Sequence, residues 1–226
     1  MFIGHFAPAF VARGLTEDAP KLGTLFVAAQ LVDIAFFTFV IFGVEHMRIV
    51  PGITAMNPMD LYSMPFTHSL LACAWWALAM AGFLMLKRRN AVAALWAGIV
   101  VLSHWLLDLL VHRPDLTLLG TPPKLGLGLW NYPLIEMPLE IGITLLAFWF
   151  YMRRTRGPVG PPLILLLVMM IFQAINWFAP EPTAYNITIP LTALFAYAVL
   201  IALARWVSTT RWHRREVGLA VPTMRR

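Results

Sequence analysis

The chain has 226 residues, 60% of them apolar and only 12% charged, with a mean hydropathy of +0.73. That composition excludes a soluble globular domain and places the chain among integral membrane proteins. The net charge of +6 is spread over short connecting segments, with neither a Gly-rich phosphate loop nor an aromatic-basic surface beside it, so no nucleic-acid partner is expected.

In chain order, Phe2–Ala12 is apolar but too short to cross a bilayer, which takes about 20 helical residues. It reads as a half-helix or re-entrant piece, folded against the first span through the polar turn Arg13–Lys21. A cleavable signal is excluded, because no basic region precedes it, no small-x-small site follows it, and its turn carries Glu17 and Asp18. Runs long enough to cross follow at Leu22–Val44, His68–Leu86, Ala91–Val111, Pro133–Met152, Leu163–Phe178 and Ile187–Val207. The expected fold class is therefore an all-α integral membrane protein of about six transmembrane helices plus a short N-terminal re-entrant helix. Gly157–Pro162 is only a tight Pro/Gly turn, so 1–211 is read as one membrane domain and 212–226 as a basic, mobile tail. Cys73 stands alone and lies within a span, which excludes an intramolecular disulfide.

Basic residues in short loops concentrate on the cytoplasmic side. Lys87-Arg88-Arg89, Arg153-Arg154-Arg156 and the C-terminal arginines fall on one side together with Arg13 and Lys21, while the other side holds only Arg48, Arg113 and Lys124. The Arg13–Lys21 turn and the C-terminus are thus expected in the cytoplasm, against anionic membrane lipids, with the long loops Glu45–Thr67 and His112–Tyr132 outside. In those loops Glu45, His46 and Asp60 are expected to be solvated. The tryptophans mostly sit near span ends or within helices, where interface anchoring and packing account for them.

Ionisable groups inside such spans are costly, and a chain that keeps several gathers them around an ion, a water cavity or one another. Counting about 1.5 Å of rise per residue from the cytoplasmic ends puts His5 about 13 Å up, Asp33 about 18 Å, His104 about 21 Å, Asp108 about 27 Å and His68 about 28 Å. Glu140 and Glu136 reach roughly 20 and 26 Å on the same count, so these groups converge on the outer half of the bilayer. His104 and Asp108 are spaced i,i+4, which puts both side chains on one helical face, and His112 stays near that face one turn on. A neutral imidazole and a carboxylate stacked in this way can share one divalent cation, and His68, Asp33 and His5 would complete the site. Nitrogen and oxygen ligands without a thiolate suit Zn²⁺, with Mn²⁺ or Fe²⁺ as alternatives, singly or as a pair. The competing reading of His104 with Asp108 is a structural pair that joins two helices.

Gly4-His5, Asp33, the Thr67-His68-Ser69-Leu70-Leu71 motif and Ser103-His104 through Asp108 occur in an order that resembles the bacterial membrane-bound, metal-dependent hydrolases of the YdjM type. The resemblance covers roughly residues 1–112, and it implies that His5, Asp33, His68, His104 and Asp108 are metal ligands in a protein of the bacterial inner membrane. That family carries two aspartates in its acidic motif where Gln30-Leu31-Val32-Asp33 supplies one, and the half after His112 looks like a branch described only as membrane proteins or permeases. In an enzyme of this kind Asp108 or Glu140 would take the proton, and Arg113 or Lys124 would steady an anionic phosphate. The depth of the site favours a lipid or lipid-linked phosphoester substrate. Two other classes stay open: a small proton- or cation-coupled transporter, against which the missing inverted repeat counts, and an accessory subunit of a larger membrane complex that keeps the polar cluster as a vestige.

Overall fold

The computed structural model describes residues 1–214. It is all-α in its membrane-crossing part, a multi-pass protein with six helices long and apolar enough to span a bilayer. A 3-10 turn, Ile3–Phe6, runs directly into the short helix α1 (Ala7–Leu15). The spans are α2 (Leu22–Ile41), α3 (Leu70–Arg88), α4 (Ala91–Val111), α5 (Pro133–Arg154), α6 (Gly160–Phe178) and α7 (Thr188–Thr210). Their faces away from one another are apolar too, as Leu86, Leu134 and Phe195 show, and such surface suits lipid contact.

The short N-terminal segment is the centre of the bundle. Ile3, Phe6, Ala9 and Phe10 are fully buried. Phe6 stacks on Phe26 of α2 at 4.3 Å between ring centroids, while Phe10 meets Phe148 of α5 edge-on at 5.6 Å. Thirteen residues from Ile3 to Leu15 are too few to cross, and their value lies in filling the gap between α2 and α5 with aromatic volume. On its other side α2 packs on α7 through Gly23, where an added Cβ would stand 2.8 Å from the Arg205 Cα.

Helices α3 and α4 form a hairpin with well-defined ends. Ser69 caps α3 by accepting from the Ala72 amide at 3.1 Å, and Asn90 caps α4 by accepting from Ala93 at 3.0 Å. The cap at Ser69 places His68 just before the helix, where its amide closes a turn by donating to the Met64 carbonyl at 3.1 Å, rather than in the first turn of the helix as the sequence pattern suggests.

Two small antiparallel hairpins and one long-range strand pair, absent from the sequence-based expectation, organise the loops. β1 (His46–Ile49) pairs with β2 (Met59–Ser63), and β3 (Leu116–Thr117) with β4 (Lys124–Leu125), at the end of the bundle that also holds His68 and His112. At the opposite, basic end β5 (Thr155–Arg156) pairs with β6 (Trp212–His213). The expected mobile tail thus begins with paired backbone. Arg211 anchors it by donating to the carbonyls of Thr155, Gly157 and Pro158. Residues 215–226 of the expected tail lie outside the described residues.

Candidate metal centre

Four elements deliver five side chains to one point near the end of α4. His5 comes from the 3-10 turn, Asp33 from the middle of α2, His68 from the chain before α3, and His104 and Asp108 from successive turns of α4. His112, which caps the C-terminus of α4, adds a fourth imidazole. The four histidines and Asp108 are buried, and Asp33 keeps 14% of its side-chain exposure.

Asp108 is the hub. Its Oδ1 lies 3.0 Å from His5 Nε2 and 3.5 Å from His112 Nε2, and its Oδ2 lies 3.1 Å from His104 Nε2 and 3.6 Å from His68 Nε2. Asp33 Oδ1 stands 3.4 Å from His68 Nε2 and 3.5 Å from His104 Nε2, while its Oδ2 accepts from the Tyr197 hydroxyl at 3.0 Å. The rings of His5 and His104 stack in parallel with centroids 3.8 Å apart. The amino nitrogen of Met1 also lies 3.1 Å from Asp108 Oδ1. Two triads, His5 with His104 and Asp108, and Asp33 with His68 and His104, have ligand atoms all within 4.8 Å of one another. The structure therefore brings together every residue that the motifs singled out as a ligand.

The outward-facing nitrogens decide what the inward-facing ones can be. His104 Nδ1 meets the Ala29 carbonyl at 2.9 Å, and a carbonyl only accepts, so Nδ1 carries the hydrogen. His112 Nδ1 meets Asp115 Oδ1 at 2.8 Å, with the same consequence. In their neutral forms both rings then turn an Nε2 lone pair toward carboxylate oxygens, His104 Nε2 toward Asp108 Oδ2 and His112 Nε2 toward Asp108 Oδ1. Lone pairs facing carboxylates repel unless a positive charge sits between them. A proton is one such charge. Burial works against it on His112, yet Asp108 and Asp115 outweigh burial and raise the His112 pKa to about 9. A divalent cation is the other, and rings oriented by a carbonyl or carboxylate on the far nitrogen are the usual second layer of a histidine metal site. The donor set fits a metal of the zinc, manganese or iron kind.

Glu140 is placed differently from the ligands. Its Oε1 accepts from the backbone amides of Phe2 at 2.6 Å and Gly4 at 2.9 Å, and its Oε2 accepts from Gln173 Nε2 at 2.9 Å. The carboxylate thus ties α5 to the turn that presents His5, and it belongs to neither triad. Glu136, one turn earlier, is buried beside Glu140. Lys124 donates to the Tyr62 carbonyl at 3.4 Å, and Arg113 pairs with Asp60.

Several residues of the loops matter more than their sequence context suggests. Glu45 and Asp60 are buried, at 0% and 3% exposure, instead of solvated. Glu45 folds under the 64–69 segment, and Asp60 is clamped between Arg48 and Arg113. Burial pushes the Glu45 carboxyl up from its ordinary value, opposed by hydrogen bonds from Thr67 and from the Phe66 and Thr67 amides. Asp115 pairs with His112 at a spacing of i,i+3, and that spacing is the signal the sequence offers for it. No protein-family model matches the chain, and neither a curated protein nor a solved structure matches it.

Proposed function

We propose that this protein is a membrane-embedded metal-dependent hydrolase, with the metal held by His5, Asp33, His68, His104 and Asp108. The observation that carries the metal is the convergence of four Nε2 atoms on two carboxylates, with the His104 and His112 rings fixed from behind by acceptors. A divalent cation, zinc by preference, would supply Lewis-acid polarisation of a phosphoryl or acyl oxygen. Asp108 gathers the imidazoles and would take the proton as general base. Glu140 acts one step away, by holding the backbone on either side of Ile3 and so fixing His5.

Asp33 supports a lipid or lipid-linked phosphoester as substrate. It is the least buried ligand and lies in the fourth turn of α2, roughly 16 Å along the helix, a depth reached from the plane of the membrane rather than from water. On this reading the protein sits in the bacterial inner membrane with its basic end cytoplasmic and its centre near the outer face. The test uses the full chain in vesicles, with phosphatidic acid in the bilayer and p-nitrophenyl phosphate in the buffer as probes. Phosphate release from the lipid probe that His104→Ala abolishes is expected. Bound metal with no release from either probe would overturn the hydrolase half, and leave a cation-coupled transporter or an accessory subunit.

A further inference from the structure

Glu45 lies just past α2 and is fully buried at the loop-rich end of the bundle. Its Oε1 accepts from the Phe66 amide at 2.7 Å and the Thr67 amide at 3.0 Å, and its Oε2 accepts from the Thr67 hydroxyl at 2.6 Å. A carboxylate has no proton to return, and a hydroxyl has only one to give. The Thr67 proton is therefore committed to Glu45. His68 Nδ1 lies 2.8 Å from the same hydroxyl oxygen, which can now only accept, so the hydrogen between them belongs to Nδ1. The Nε2 of a neutral His68 is then a lone pair, and it faces Asp33 Oδ1 at 3.4 Å and Asp108 Oδ2 at 3.6 Å.

We propose that Glu45 is a positioning residue which, through the Thr67 hydroxyl, fixes His68 in the Nδ1–H form and so makes its Nε2 a ligand for a divalent cation. The proposal rests on the metal reading above and extends it to a residue that touches no ligand atom. The surroundings keep the chain of bonds in register. Trp105 Nε1 donates to the His68 carbonyl at 3.1 Å, Cys73 Sγ donates to the Thr67 carbonyl at 3.1 Å, and Phe36 meets the His68 ring edge-on at 5.2 Å. The ring cannot turn over without breaking this frame, so the direction of two hydrogen bonds decides whether His68 binds metal or repels it.

Isosteric replacements separate direction from packing. In Glu45→Gln the amide oxygen is needed by the Phe66 and Thr67 amides, so the amide nitrogen faces the Thr67 oxygen and donates to it. The hydroxyl must then donate to His68 Nδ1, and the imidazole hydrogen moves to Nε2, where it blocks a metal. Thr67→Ser keeps the relay, and Thr67→Val removes it. The measurements are zinc affinity of the detergent-purified full chain, by competition with a chromophoric chelator, and the tautomer of His68 in metal-depleted protein, by the ¹⁵N shifts of labelled imidazoles. Glu45→Gln and Thr67→Val are expected to weaken zinc binding by about 10–100-fold, with Thr67→Ser within about threefold of wild type. Wild type should show a protonated Nδ1 on His68, and Glu45→Gln a protonated Nε2. A folded Glu45→Gln protein with the wild-type tautomer and affinity would overturn the proposal while the metal reading stands. A wild type that takes up none of zinc, manganese or iron overturns the metal reading, and the ligand role of His68 falls with it.

Discussion

His104 and Asp108 lie one turn apart on α4 with Nε2 of one 3.1 Å from Oδ2 of the other, and His104 reaches that position with its Nδ1 already bound to the Ala29 carbonyl. The pair is thus more than a contact between neighbours on a helix. Its geometry is held from α2 on one side and shared with His5, His68 and His112 on the other. Removing either member should be felt first in metal binding. His104→Ala and Asp108→Asn are expected to weaken zinc affinity by more than the roughly 10–100-fold typical of outer-layer residues, measured by chelator competition. Equal affinity in either folded variant would leave the pair a structural link between helices.

Metal should also hold the fold together. Asp33 and Asp108 bring two carboxylates into one buried cluster, and a bound cation relieves their repulsion only in the folded state. Zinc at 100 times its dissociation constant is expected to add about 2.7 kcal/mol of stability. Thermal unfolding in detergent should therefore fall with a chelator and recover with added zinc. In His104→Ala the melting temperature should not respond to either.

Glu140 anchors the N-terminal turn from 136 to 138 residues away in sequence. In Glu140→Ala the amides of Phe2 and Gly4 and the side chain of Gln173 lose their acceptor inside the bundle. Each buried donor left unmet costs about 1–3 kcal/mol, so the variant should melt well below wild type and bind zinc more weakly through a loosened His5. Glu140→Gln, which keeps an acceptor for the amides, should lose less. A Glu140→Ala protein with wild-type melting would show that the anchor is dispensable.

Gly126 lets the segment that follows β4 close over the end of α4. A Cβ there would stand 2.3 Å from the Arg113 carbonyl oxygen and 2.4 Å from that of His112. Next to it, Leu127 and Gly128 donate to the carbonyls of Leu109 and His112 at 2.8 and 2.7 Å. Gly126→Ala should push the loop off His112 at a cost of about 1–3 kcal/mol. Limited proteolysis should show faster cleavage between residues 117 and 130, and unchanged cleavage would contradict the close approach.

What the chain disclosed in advance was what helical geometry determines locally. The i,i+4 spacing put His104 and Asp108 on one face, hydropathy delimited six spans, and counting rise per residue put His5, Asp33 and His68 at compatible depths. The missing parts depend on tertiary placement. Glu45 sits in a polar loop that reads as solvated, and only the fold of the 64–69 segment over it buries its carboxylate. Glu140 lies at the depth of the cluster, yet its Oε1 is claimed by amides 136 and 138 residues away in sequence, which no local pattern reveals. The hairpins are two to five residues per strand, too short to carry an alternation signal.

The most direct measurement is elemental analysis of the detergent-purified full chain beside His68→Ala and His104→Ala. Near-stoichiometric zinc, manganese or iron in wild type, lost in both folded variants, is the predicted result. Wild-type protein without metal, or variants that retain it, would contradict a metal centre built on His5, Asp33, His68, His104 and Asp108.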